Sequence, residues 1–447
     1  MYSILLNKVR ELLKNNVVNN ILIVGSITLL IKGLGFYKET LVASNFGLSV
    51  VLDTFFIAFL IPGFIQNVFL ESFNTVFIPN YISETKSENG NIGSFQGLGF
   101  VTSILAATLF SLVAVLGTDF YLESFFPGKE EAFYDLVKSQ FYIMLPCMYF
   151  WSFSSILGAL LNINNEFTYS SFSGVFIALT IIVSILFFRE ALGEMLLATS
   201  TLIGSILEFA YLLIVCLQHN IIKLAPPDFK NKNAQVMFKQ IPAKVSSGFL
   251  TGMNGVVDQF FAAQLVVGSI AAINYGLKMP SFLMGMLVIA LTSVLLPQFS
   301  KMVLEDRENA YRFFYKIMKF LFIGASFFAI AGIFLSDFLV ELFFQRNEFT
   351  AEDTVVVSKI QKIFLVYTPF AICGMVTVSF LTSLNKNAVM AYVSLLAVVL
   401  NFIGDYFLYK YFGVFGIALC TTIVVVIKNI FLFYFTVKIR NQLSLQA

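Results

Sequence analysis

Hydrophobic positions in this chain do not alternate with polar ones at a strand period, nor do they form a single stripe at the helical period. They run almost unbroken for long stretches, give way to a short polar segment, and resume. A run of about 20 apolar residues wound as α-helix covers a hydrocarbon layer of roughly 30 Å. About twelve such runs follow one another, the first over 20–46 and the last over 412–437. Because every backbone polar group inside lipid must be satisfied within its own segment or in a closed barrel, runs of this length predict helices. The expected fold is all-α: a polytopic membrane protein of about twelve transmembrane helices.

The runs fall into two sets of six. Pro62 and Pro79, in the second run, have the same spacing as Pro280 and Pro297, in the eighth. At that same offset DFYLESFF (119–126) meets DFLVELFF (337–344). After a short insertion the correspondence resumes, pairing Pro146 with Pro369 and LNIN (161–164) with LNKN (384–387). The predicted organisation is an interfacial helix over 1–19, a six-helix bundle over 20–217, a cytoplasmic linker over 218–235, a second bundle over 236–437 and a tail over 438–447. An even number of crossings per half makes the repeat parallel, with its pseudo-twofold axis along the membrane normal and a substrate site expected near the midplane between halves. Pro62 and Pro280 remove a backbone donor at matching depths and are candidate hinges.

Composition agrees with the pattern: 58% of the 447 residues are hydrophobic and 12% are charged, against about 25% charged in soluble domains. A formal net charge of +2 gives no field suited to nucleic acid. Lys and Arg gather in the N-terminal arm, the linker, the 300–319 loop and the tail, which places both termini in the cytoplasm. No cleavable signal is expected. The four cysteines lie within runs without metal-ligand spacing, so packing roles are expected for them, and the single histidine, His219, sits in the linker, so neither proton relay nor metal catalysis built on histidine is expected. No loop carries a nucleophile, base and orienting group together, so the chain is not expected to be an enzyme.

The charges inside the runs carry the chemistry. A charge at the bilayer centre costs about 2.5–3.5 kcal/mol on insertion scales and needs a partner or a wet cavity. Lys32 lies halfway along the first run, with Lys38 and Glu39 further on; Lys38 snorkelling outward and Glu39 pairing locally is the alternative to cavity lining for these two. Lys278, just before Pro280, is equally deep, and its alternative is a pair with Glu71. Lys32 and Lys278, one per half, are candidates to converge on an anionic group, and a diphosphate suits ammonium point charges. In the second half Asp258, Asn401, Asp405 and Thr421 offer only oxygen ligands, which suits a hard cation; the alternative is a helix-packing network with Lys428 neutralising Asp405. Glu208 has no assigned partner.

GLGFYKETLVASNFG followed by LDTFFIAFLIPGFIQNVFLESFNTVFIPNY, and later LKMPSFLMGMLVIALTSVLLPQFSK, resemble the MurJ/MviN family of lipid II flippases, within the superfamily that includes multidrug exporters and O-antigen flippases. The resemblance implies two six-helix lobes about a central cavity and alternating access. The cargo it implies is an undecaprenyl-diphosphate-linked peptidoglycan precursor, carried across the bacterial cytoplasmic membrane. Membrane lipids and the cell-wall synthesis machinery are the other implied partners, and a monomer is expected. The twelve runs leave out the two further C-terminal helices that similar proteins often carry, so no lipid groove built by them is expected. Family residues in the first helix fall on Lys32, Lys38 and Glu39. Those of the second fall on Asp53 and Glu71, and that of the eighth on Lys278. Gln66 and Asn67 depart from the family's basic pair, which keeps a different polyprenyl-diphosphate saccharide open as cargo. Some members resemble the cation set closely, which implies sodium held by Asp258, Asn401, Asp405, Thr421 and the Ile417 carbonyl; no other cofactor is implied. The rival readings are an O-antigen or capsule flippase, a cation-coupled drug exporter, and a non-transporting scaffold.

Overall fold

The computed structural model describes residues 16–88, 90–384 and 386–444, with side chains at all of these except 16–24, 71, 247, 286–294, 297, 387, 443 and 444. The interfacial helix expected over 1–19 lies outside the described residues as far as residue 15. The described residues are almost entirely helical. Among the described residues, eight helical segments are long and apolar enough to cross a membrane.

In chain order the α-helices of six or more residues are α1 (Asn16–Phe46), α2 (Val50–Ile65), α3 (Glu71–Thr85), α4 (Ile92–Leu116), α5 (Thr118–Phe125), α6 (Glu131–Met144), α7 (Cys147–Ile163), α8 (Phe167–Phe172), α9 (Val175–Phe187) and α10 (Leu196–Gln218). After the linker come α11 (Lys232–Ala263), α12 (Ser269–Glu305), α13 (Arg307–Phe344), α14 (Ala351–Ser383) and α15 (Asn387–Ser444). Several predicted runs are jointed. The second bends through a π-helical turn, Gln66–Leu70, that follows Pro62. The fourth breaks at Leu145–Pro146, where proline cannot continue the hydrogen-bond ladder. The fifth breaks at Ser173–Gly174. By contrast α12 stays helical across Pro280 and α14 across Pro369.

Two compact units share the chain: residues 1–42, 54–124 and 128–248 in the first, and 43–53, 125–127 and 249–447 in the second. Lipid tails are as apolar as leucine, so helices inside a bilayer associate through close approach and polar contacts. In the first unit the Gly204 Cα of α10 leaves so little room that an added Cβ would meet Ile177 of α9, and Thr180 donates to the Ser200 carbonyl at 3.0 Å. In the second, Gly276 of α12 packs on Ile360 of α14, and Gln361 donates to the Ser336 hydroxyl of α13 at 2.9 Å. The outward face of α13 leaves Phe320, Phe327 and Phe334 exposed, as suits lipid.

Each unit also has an aromatic cluster at an equivalent place in the repeat. Tyr81 packs among Phe77, Phe95 and Leu157 in the first unit. Phe299, the counterpart of Tyr81, packs on Phe314 and on Phe380, the counterpart of Leu157, in the second. All four cysteines are buried and free.

Candidate functional site

In the second unit α15 reverses at Gly413, whose φ of 55° favours glycine. The two arms then lie side by side: an added Cβ on Gly404 would meet Cys420 Sγ, and Cys420 Sγ lies 3.5 Å from the Asn401 carbonyl. This reversal brings Asn401 and Asp405 of the first arm against Ile417 and Thr421 of the second, with Asp258 entering from α11. The Asn401 amide bridges the acids, Nδ2 donating to Asp258 Oδ1 at 2.7 Å and to Asp405 Oδ2 at 3.0 Å. Thr421 Oγ1 lies 2.8 Å from Asp258 Oδ2 and 3.1 Å from the Ile417 carbonyl.

Asp258, Asn401 and Asp405 are 5%, 1% and 0% exposed, yet Asn401 Oδ1 and Asp405 Oδ1 have no hydrogen-bond partner. Among the described residues neither acid forms an ion pair with Lys or Arg. A buried acceptor without a donor costs about 1–3 kcal/mol, so two of them beside an uncompensated carboxylate pair mark a place that a cation suits. The donor set is oxygen only, which favours a hard ion. Among the described residues no group of three or more His, Cys, Asp or Glu gathers, so two carboxylates are the whole formal charge available.

The predicted charges of the first helices have separate fates. Lys32 is exposed along α1, with no ion-pair partner among the described residues. Lys38 is instead held by its neighbour Glu39, at 2.7 Å with both side chains largely buried. Asp53 is committed to a helix end within the second unit. Its Oδ2 accepts from the Gly268 N–H at 2.6 Å and its Oδ1 from the Ala271 N–H at 2.9 Å, so it covers orphan donors at the start of α12. Gln66 and Asn67 lie in the π-helical turn; Gln66 lines a narrow crevice with Pro62, Phe69, Phe110 and Trp151, and Asn67 is exposed. The side chain of Glu71 lies outside the described residues. Lys278 is half-buried in α12 of the second unit.

Other polar contacts escaped the sequence reading. Glu84, buried in the last turn of α3, accepts from the Asn91 N–H at 2.8 Å and from the Asn231 and Asn233 amides at 2.9 and 2.7 Å. Gln96 adds bonds to the Ile221 carbonyl and from the Lys223 N–H, so the linker is docked on the first unit. An acid at a helix C-terminus opposes the macrodipole; that misfit was the available signal. Glu208 accepts from Ser173 at the α8–α9 break, at 3.2 Å. His219 stacks edge-on to Tyr169, and its Nδ1 lies 3.3 Å from Glu166 Oε1.

Comparison with known proteins adds the family. One curated relative, a probable lipid II flippase MurJ of Buchnera aphidicola subsp. Baizongia pistaciae, is 27% identical over 437 residues, covering 94% of this chain and 83% of its own. The lipid II flippase MurJ of Burkholderia cenocepacia is 24% identical, covering 77% and 69%. Among solved structures, the inward closed conformation of a lipid II flippase MurJ superposes with a TM-score of 0.81 at 24% identity, over 93% of this chain and 87% of that one. An inward-facing multidrug transporter of the MATE family, in the MOP superfamily, gives 0.70 at 14% identity over 95% and 96%, a likeness of fold alone. The family model described as lipid II flippase MurJ matches residues 42–446, nearly the whole of the two helical units, and the chain therefore belongs to that family of multi-pass bacterial membrane proteins.

Proposed function

We propose that this protein moves lipid II, the undecaprenyl-diphosphate-linked peptidoglycan precursor, from the inner to the outer leaflet of the cytoplasmic membrane by alternating access, with both termini in the cytoplasm. The observation that carries this reading, beside family membership, is Lys32: an exposed ammonium midway along α1, while its neighbour Lys38 is neutralised by Glu39. An unneutralised charge at that depth belongs in a wet cavity facing an anion. Lys278 supplies the matching charge from the other half of the repeat. Lysine in both places binds phosphate as a point charge, without the planar fork of arginine.

Asp53 holds the first turn of α2 to the start of α12 within the second unit. Export of net negative cargo is helped by an inside-negative potential, about 2.3 kcal/mol per charge per 100 mV. Sodium is the coupling ion this reading favours. Asp258, Asn401, Asp405, Thr421 and the Ile417 carbonyl would hold it, and it would supply the positive charge the carboxylate pair lacks.

Rescue of cells depleted of their own lipid II flippase tests the reading. The wild-type chain restores growth and Lys32→Ala does not, although both reach the membrane. Failure of the wild-type chain removes lipid II as cargo. One observation favours a second reading: Gln66 and Asn67 present amides where the family carries a basic pair, which suits a different lipid-linked saccharide. Rescue of a surface-polysaccharide flippase mutant would select it.

A further inference from the structure

Glu208 is an acid that the transport reading leaves unused. It lies midway along α10, in a segment long and apolar enough to cross a membrane, and its half-buried side chain reaches the α8–α9 break of the first unit. Among the described residues it forms no ion pair. Tyr211, nearly one turn further along α10, packs on Phe172 and Phe176, which flank the break, with ring centroids 5.7 and 5.1 Å away. No charged residue lies on α7, α8 or α9, and α10 carries no other. The remaining titratable groups of these helices are Cys147, Tyr149, Tyr169, Tyr211 and Cys216. α6 meets the start of α10, where Gln140 donates to the Glu194 carbonyl, so its Glu131, Asp135 and Lys138 belong to that other end. From α1, Ile31 approaches the break: a Cβ added to Gly174 would stand 3.8 Å from Ile31 Cγ2.

Counting hydrogens at Ser173 shows what Glu208 does there. Ser173 Oγ lies 3.0 Å from the Ser170 carbonyl and 3.2 Å from Glu208 Oε1. A serine hydroxyl has one hydrogen and two lone pairs, whereas a carbonyl and an ionised carboxylate only accept. With Glu208 ionised, the single hydrogen serves one of the two. With Glu208 protonated, its own O–H donates to Ser173 Oγ, the serine hydrogen goes to Ser170, and both contacts are hydrogen bonds. The neutral acid also avoids the cost of a half-buried carboxylate that has no counter-charge.

We propose that Glu208 is a proton-binding site that switches the α8–α9 break. Hydronium in water supplies the proton to the carboxylate, and release returns it to water. With the proton bound, Ser173 closes the last turn of α8 on Ser170 and accepts from α10 at the same time. With it released, the serine hydrogen turns to the carboxylate, and the Ser170 carbonyl loses that donor. The break then loosens beside Ile31, so a proton event acts next to the helix that carries Lys32. This site stands apart from the Asp258 and Asp405 cluster, whose residues all belong to the second unit.

The test uses the full chain purified in detergent, as wild type and as Glu208→Gln, whose amide N–H replaces the acid O–H and does not titrate. Thermal stability and amide hydrogen exchange are followed from about pH 5 to about pH 9, with exchange corrected for its intrinsic pH dependence. The folded chain holds a proton that the unfolded chain gives up, so stability falls as pH rises, by about tenfold in the folding equilibrium for each pH unit over which that difference persists. The variant lacks this term. The two chains therefore melt within about 1 °C of one another at the acidic end, and wild type falls at least about 2 °C below the variant at the alkaline end. Exchange in the peptide spanning 167–176 rises with pH in wild type and stays level in the variant. Glu208→Met, equally unable to titrate, carries the comparison of pH slopes should the glutamine chain fail to fold. A Tm difference that stays constant with pH, or exchange that rises equally in both chains, overturns the proposal.

Discussion

Replacing Asp53 by alanine tests the helix-end contact that ties the α1–α2 loop into the second unit. The carboxylate makes two charge-assisted bonds, to Gly268 and Ala271, at 2.6 and 2.9 Å. Bonds of this kind contribute about 1.5–3 kcal/mol each, and a buried N–H left without its acceptor costs about 1–3 kcal/mol. The charge itself, at a helix N-terminus and partly out of water, adds up to about 2 kcal/mol. These terms describe one contact and overlap, so the net loss is about 3–5 kcal/mol. At roughly 1 °C per kcal/mol for a chain of 447 residues, Asp53→Ala lowers the apparent Tm by about 3–5 °C. Asp53→Asn keeps one acceptor, loses the charge and places an amide donor against a backbone donor, so it falls between alanine and wild type. Asp53→Glu, with a longer stem, does not recover the wild-type value. Scanning fluorimetry of the purified chain at a fixed heating rate makes the comparison, since membrane-protein unfolding is often irreversible and rate-dependent. If alanine and asparagine both melt within about 1 °C of wild type, the contact does not stabilise the protein.

Three further outcomes follow from the same geometry. Lys32→Ala reduces rescue of flippase-depleted cells at least about tenfold and Lys32→Arg restores it, whereas the paired neutralisation Lys38→Met with Glu39→Gln costs far less, because that ion pair has little charge to offer a substrate; growth after depletion ranks them. Glu84→Ala strands three donors and destabilises the linker dock by about 2–4 kcal/mol, visible as faster cleavage by added protease between residues 219 and 231. Gly404→Ala forces the arms of α15 apart at Cys420 and weakens the sodium effect on Tm, while Gly324→Ala, where an added Cβ meets nothing, leaves it unchanged.

How much of this was legible follows from what each feature depends on. The helical membrane fold depends on runs of apolar residues, which are local in sequence. Asn401 and Asp405 were legible because one helical turn separates them, whereas nothing in the sequence singles out Glu39 as the partner of Lys38 rather than a substrate. The π-helical turn at Gln66–Leu70 and the break at Ser173–Gly174 depend on how neighbouring helices pack, which apolar runs do not encode. Asp53 was singled out by resemblance as a substrate residue; its bonds to Gly268 and Ala271 join positions far apart in the chain, and nothing near LDTFF announces them. Glu84 failed for the same reason, since its amide partners sit beyond four intervening crossings.

The orientation of Asn401 bears on how an ion would be exchanged. Its Nδ2 donates to both carboxylates, so the amide does part of what a cation would do, and its Oδ1 is turned away without a donor. A metal ion between the acids needs the opposite orientation, with Oδ1 toward it and Nδ2 withdrawn. Cation affinity is then a difference between two occupied arrangements, since the acids already have an amide and a hydroxyl in hand. A ligand shifts a conformational equilibrium only by its differential affinity for the two states. An amide that must turn over makes binding sensitive to small displacements of α11 against α15. That sensitivity is what coupling an ion to a rocking bundle requires. A cluster with every oxygen already satisfied would hold the helices together equally well and respond to no ion.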